Sequence, residues 1–151
     1  MGETESNEAL QAAIRMLGRR EHSEAEVRQK LTRNFRALGT DALDDIAATL
    51  IRDGYLSDDR FAESLVRSRV AKGYGPYYIR RELAMKGIRQ DLVAQYLDGA
   101  DIDWQDVATR IVERRHADAF NDADAWVKAA RYLQRRGFSG ELVVKAVGAR
   151  P

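Results

Sequence analysis

The chain has 151 residues, 44% apolar and 32% charged, with 25 basic against 24 acidic side chains; it can bury one core or a short array of small cores beneath a heavily charged surface. Cysteine is absent, which excludes disulfides, thiolate nucleophiles and Cys-based zinc sites and suits a reducing cytoplasm. No apolar run approaches the ~18 residues of a membrane span, so partners in solution are expected and a membrane is not.

Taken in chain order, residues 1–7 are acidic, lack the basic-then-apolar order of a secretory signal, and are expected to form a disordered tail. From there apolar residues recur at helical spacing almost everywhere, and no stretch alternates like a strand. The pattern predicts helices at 7–19, 24–38, 41–53, 58–72, 76–86, 90–98, 103–117, 122–136 and 140–148. Ser23 with Glu26 forms a capping box before the second. Thr40 or Asp41 can cap the third, and Ser57 or Asp58 the fourth. Gly75-Pro76 feeds proline into the first position of the fifth. Asp103, then Asn121 or Asp122, then Ser139 open the last three. Glycines, among them Gly54, Gly87 and Gly137, follow most of the periodic runs.

The nine segments fall into three sets of three. With Gly87 aligned to Gly137, Leu83 meets Leu133, Ile88 meets Phe138, Val93 meets Val143, Leu97 meets Val147 and Arg81 meets Arg131. The first set fits more loosely: Val27 and Leu31 match Ile79 and Leu83, and Ile46 and Leu50 match Val93 and Leu97, with five extra residues between Leu31 and Ile46. The expected architecture is all-α, three tandem three-helix repeats at 8–54, 55–99 and 100–151 in an elongated array. The acidic segments DGYLSDD and DGADID form the joints.

Charge is segregated along this array. Arg60–Arg89 carries +6, while Asp41–Asp59 and Asp91–Asp106 each carry −5. A basic block between acidic blocks points to an interaction surface.

Two stretches have a recognisable text, REHSEAEVRQKL and DGYLSDDRFAESLVRSRVAKGYGPYYIRRELAMKGI. The second contains G-Y-L-x-D-x-R-F-A, then R-x-R, then K-G-Y-G-P-x-x-I-x-x-E-L. Over residues 8–98, and more weakly in the third repeat, the sequence resembles the RecX family of bacterial regulators of the RecA recombinase. The resemblance implies three tandem three-helix repeats and binding in the groove of the RecA filament on single-stranded DNA. It also implies suppression of RecA's ATP hydrolysis, strand exchange and co-protease activity, and so control of recombination and the SOS response. The long join after the second helix departs from the family pattern.

On helical wheels, Tyr77, Arg80 and Arg81 point outward from 76–86 while Ile79 and Leu83 point inward. The corresponding helices expose Arg33 and Arg36, and Lys128, Arg131 and Arg135. With Arg67, Lys72, Tyr74 and Lys86 these make a candidate basic strip for the RecA filament, or for single- or double-stranded DNA; the alternative is a set of independent solvated faces. Arg69 falls within the apolar face of 58–72. It is read either as a partner-binding arginine or, preferably, as a half-buried one paired to a carboxylate such as Glu82.

No catalytic set emerges. Asp44/Asp45 and Asp58/Asp59 are sequence neighbours that cannot face each other on a helix, and His22 and His116 stand alone. No metal or cofactor is expected. Trp104 and Trp126 are read as core or joint anchors. The chain is expected to act as a monomeric binding protein and not as an enzyme. The rival reading is a helix-turn-helix-like DNA-binding module, disfavoured because the basic residues spread over three equivalent helices instead of the start of one recognition helix.

Overall fold

The computed structural model describes residues 2–151. Among them there are nine helices and no strand: α1 (Gly2–Arg19), α2 (Glu24–Asn34), α3 (Thr40–Arg52), α4 (Asp58–Ala71), α5 (Pro76–Met85), α6 (Gln90–Val93, running on as a π-helical turn to Asp98), α7 (Trp104–Arg115), α8 (Ala123–Arg135) and α9 (Gly140–Val147). The capping chemistry sets most of the starts. Ser23 and Glu26 form the reciprocal box, and Ser57, Asp103, Asp122 and Ser139 each accept a backbone N–H from the first turn they open.

Three expectations need correction. Of the expected tail, Met1 lies outside the described residues and Gly2–Asn7 are helical: Glu3 and Glu5 sit in the first turn of α1, where the helix dipole favours them, and no proline interrupts the run. The second helix stops at Asn34 instead of 38, because Phe35 leaves helical geometry (φ −130°, ψ 75°) to turn itself and Leu38 onto the first core. The five extra residues of the first repeat therefore form a packed connector beside the first turns of α1, not more helix. Finally, the N-cap of α3 is Gly39, which has no side chain to cap with, rather than Thr40 or Asp41. A short 3₁₀ turn at Ala117–Phe120, unforeseen in the sequence, links α7 to α8.

Each triplet closes on its own core. Ala9, Ala13, Val27, Leu31, Ile46 and Leu50 form the first; Phe61, Ala62, Ile79, Leu83, Val93 and Leu97 belong to the second; Ala108, Val112, Ala129, Leu133, Val143 and Val147 to the third. Leu31, Leu83 and Leu133 hold equivalent places and are at most 1% exposed. Trp104 touches both the second and third cores, as a joint anchor does, and Trp126 packs on the third while its indole N–H donates to the Gly148 carbonyl at 2.9 Å. The accessible surface is 9347 Å², against about 7,700 Å² for a compact monomer of this mass. Three small cores in a row, not one large one, account for the excess.

Candidate functional site

The middle helices of the three units meet end to end. The C-terminus of α5 reaches the N-terminus of α2: the Lys86 ammonium donates to Glu26 Oε2 at 3.2 Å, and a Cβ on Gly87 would lie 2.8 Å from that of Ala25. The N-terminus of α5 meets the end of α8 in turn. The N–H groups of Gly75 and Tyr77 donate to the carbonyls of Arg136 and Gly137 at 2.6 and 3.0 Å. The unpaired donors that begin α5 are thereby satisfied by the unpaired acceptors that end α8, and the positive end of one helix dipole meets the negative end of the other.

This line of helices carries much of the predicted strip. Tyr77 is 63% exposed, and Arg80, Arg81, Lys128, Arg131 and Arg135 are exposed as well. Arg80 is ion-paired with Asp98 at the end of α6, and Arg67 with Glu63 one turn away on α4; exposed pairs of this kind exchange readily for a partner's carboxylate or phosphate. Arg33 is exposed in the last turn of α2. Arg36, expected on the same helix, is exposed on the connector beyond it, because α2 ends two residues earlier. Lys72 is exposed at the end of α4. Two predicted residues take a more structural place. Lys86 is half-buried and bound to Glu26. Tyr74 is packed, not displayed, stacked on Tyr78 at 4.2 Å and covered by the Arg136 guanidinium 3.8 Å from its ring.

The joint between the first two units is electrostatically closed. Glu26, 7% exposed, accepts from Arg20, from Lys86 and from the Ser23 backbone N–H. Burial opposes its ionisation, but those hydrogen bonds outweigh burial and bring the carboxyl down to about 2. Arg60 reaches Glu21 at 3.0 Å, and Asp58 accepts the Glu24 N–H across the joint at 2.8 Å. His22 is buried, with Nδ1 3.0 Å from the Arg20 carbonyl and Nε2 3.2 Å from the Lys30 ammonium. The lysine can only donate, so Nε2 accepts and Nδ1 carries the proton. Burial pushes the His22 pKa down, which keeps the ring neutral and structural.

Arg69 is the half-buried ion pair expected from its place on α4. Its guanidinium grips Glu82 with two parallel bonds of 2.7 Å, and the two side chains are 23% and 20% exposed. Arg69→Ala is expected to lower unfolding stability by about 2 kcal/mol, between the values of exposed and fully buried pairs. Urea unfolding of this variant checks it, and a loss below about 0.5 kcal/mol would remove Arg69 from the structural frame.

The sequence did not single out the cations of the second joint. Arg110, Arg114 and Arg115 from α7 and Arg136 after α8 gather with Lys72 around one cleft. The signals were the paired arginines at 114–115 and 135–136, each near a helix end, where cations favour the dipole. Their assembly around one opening depends on how the units dock. No cluster of metal-binding side chains occurs among the described residues, and no helix there is long and apolar enough to cross a membrane.

Comparison with known proteins matches residues 9–34, 57–97 and 101–147 to family models described as the first, second and third three-helix domains of RecX. The first match ends at Asn34, where α2 stops and the packed connector begins. A protein named regulatory protein RecX from Stenotrophomonas maltophilia (strain K279a) is 40% identical over 91% of this chain and 83% of its own. One of the same name from Vibrio cholerae is 34% identical over 92% and 91%. The crystal structure of RecX from Lactobacillus salivarius superposes with a TM-score of 0.81, at 22% identity, over 96% of both chains.

Proposed function

This chain belongs to the RecX family of regulatory proteins, and from that premise we propose that it is a negative modulator of RecA. It binds in the groove of the RecA filament on single-stranded DNA and inhibits ATP hydrolysis, strand exchange and co-protease activity, and so regulates recombination and the SOS response. It acts in the cytoplasm as a monomer, without a cofactor. The observation that carries this reading is the end-to-end line of α2, α5 and α8. Exposed arginines, lysine and Tyr77 lie along one elongated body, which suits a long, negatively charged groove more than a compact binding pocket. The units 8–54, 55–99 and 100–151 are proposed to engage successive parts of the filament.

The test is RecA's DNA-dependent ATPase, measured with and without this protein at two salt concentrations. Arg80→Glu with Arg81→Glu is expected to weaken inhibition about tenfold, or about 1.4 kcal/mol, as attraction turns to repulsion. Both residues are exposed, so folding should change by about 0.5 kcal/mol or less per site. Salt should weaken the wild type more steeply than the variant, because fewer contacts remain to be screened. Undiminished inhibition by the variant would reduce α5 to a solvated face. Lost binding to bare DNA with inhibition retained would make the strip a DNA contact and put the RecA-facing surface elsewhere.

A further inference from the structure

The two joints of the array are built from similar elements, yet their charge accounts differ. At the first joint, Arg20, Arg69 and Lys86 line a cleft that Glu21 and Glu82 also line, and each of the three cations bonds a carboxylate, Glu26 or Glu82. At the second, a cleft of about 260 Å³ lies between the end of α4, the outer face of α7 and the end of α8. Lys72, Arg110, Arg114, Arg115 and Arg136 line it, and no carboxylate does.

Aromatic groups and a backbone oxygen, not acids, hold two of these cations, Arg115 and Arg136. Arg115 donates to the Tyr132 hydroxyl at 3.0 Å and lies over the same ring. Arg136 donates to the Lys72 carbonyl at 2.6 Å and stacks on Tyr74, and its Nε is buried without an acceptor. Arg110 is paired with Asp106, one turn back on α7. Among the described residues, Lys72 and Arg114 meet no carboxylate at ion-pair distance. The floor is apolar, formed by Val70, Val107 and Ile111.

Four cations without a carboxylate partner, Lys72, Arg114, Arg115 and Arg136, crowd one opening and repel each other, and a low-dielectric floor strengthens that repulsion. An anion bridging them relieves it, and guanidinium forks match phosphate oxygens in particular. We propose that this cleft is a phosphate-binding site, assembled only when the second and third units dock, with Arg114, Arg115 and Lys72 making the direct contacts and Arg136 fixing the joint beneath them. The phosphate can belong to a nucleic-acid backbone or to a free nucleotide. The site does not depend on the filament reading, and its test uses this protein alone, without RecA.

Binding of a labelled oligothymidylate, followed by fluorescence anisotropy across a salt series, and of inorganic pyrophosphate, followed by calorimetry, tests it. Arg114→Glu with Arg115→Glu is expected to weaken the oligonucleotide by tenfold or more and to reduce the salt slope by about 1.4, the release of two phosphate contacts from a single strand. The milder Arg114→Gln should show a smaller loss in the same direction. Arg114→Gln should melt as wild type does, since its side chain is exposed at the end of α7, while the double variant, which loses the Arg115–Tyr132 contact and two cations from a helix C-terminus, should melt lower yet remain folded at the assay temperature. Displacement of the oligonucleotide by pyrophosphate from wild type assigns the cleft to discrete phosphate ligands. Resistance to pyrophosphate, with binding lost in the double variant, assigns it to the polymer backbone. The proposal is overturned if the folded double variant binds both probes as wild type does, or if Arg33→Glu with Arg36→Glu, at the far unit, causes an equal loss.

Discussion

Gly137→Ala is expected to cost about 3 kcal/mol or more of unfolding free energy, although it adds a single methyl group. Two causes combine. Gly137 has a φ of +98°, a conformation that costs an L-residue about 1–2 kcal/mol. The added Cβ would also lie 2.4 Å from the Tyr78 nitrogen and 2.6 Å from its Cβ, both fixed at the start of α5. The only relief is to separate the second and third units, which breaks the Gly75 and Tyr77 hydrogen bonds to the end of α8. Gly54→Ala separates the two causes. Its φ is +81°, but nothing lies within 4 Å of the new atom, so only about 1 kcal/mol should be lost. Chemical denaturation of both variants decides it. Gly137→Ala should also lower the denaturant slope, as units that no longer lean on each other unfold less cooperatively. If the two alanines prove equally costly, the backbone contact between α8 and α5 is not what holds the units together.

Removing Glu26 should be as damaging, and the damage should depend on pH. The carboxylate closes the capping box of α2 and binds Arg20 and Lys86 from both sides of the first joint. Its folded pKa of about 2 lies below its ordinary value of 4.5, which by linkage is worth about 3 kcal/mol at neutral pH. The folded pKa is depressed, so this stability is present above pH 4.5 and is lost as the pH falls from 4.5 towards 2. Glu26→Ala should lose about 3 kcal/mol at pH 7 and little further in that acid window. Glu26→Gln keeps the capping geometry without the charge and should fall between. Parallel acid curves for wild type and Glu26→Ala would locate the acid sensitivity of the fold elsewhere.

Much of this is legible in the residues alone. The apolar period of Val27 and Leu31, and of Ile79 and Leu83, lies within single helices, and local patterning of that kind survives any arrangement of the units. Ser23, Ser57, Asp103, Asp122 and Ser139 cap by bonding backbone only three residues ahead, so their roles need no tertiary partner. Arg69 was legible for a different reason: a cation placed within an apolar stripe needs a carboxylate, and Glu82 lies on the next helix of the same repeat.

What escaped the sequence depends on contacts between distant segments. The end of α2 at Asn34 was invisible because 24–38 has good helical periodicity, and only the pull of Phe35 and Leu38 onto the first core breaks it. Lys86 looked like one more outward cation until the docking of Gly87 against Ala25 brought it to Glu26, sixty residues away in the chain. Tyr74 was counted with the strip, and the stacking of Tyr78 and Arg136 packs it instead. Nine amphipathic segments, most of their caps and their threefold grouping follow from the residues alone, since each rests on interactions within about four residues or within one repeat. It takes the packing of the units to bring the ends of α2, α5 and α8 together, to neutralise one joint and to gather five cations at the other around an opening lined by no carboxylate. Those outcomes depend on backbone approach at Gly75, Gly87 and Gly137, where the absence of a side chain lets two units touch, and a missing atom carries no periodicity to read.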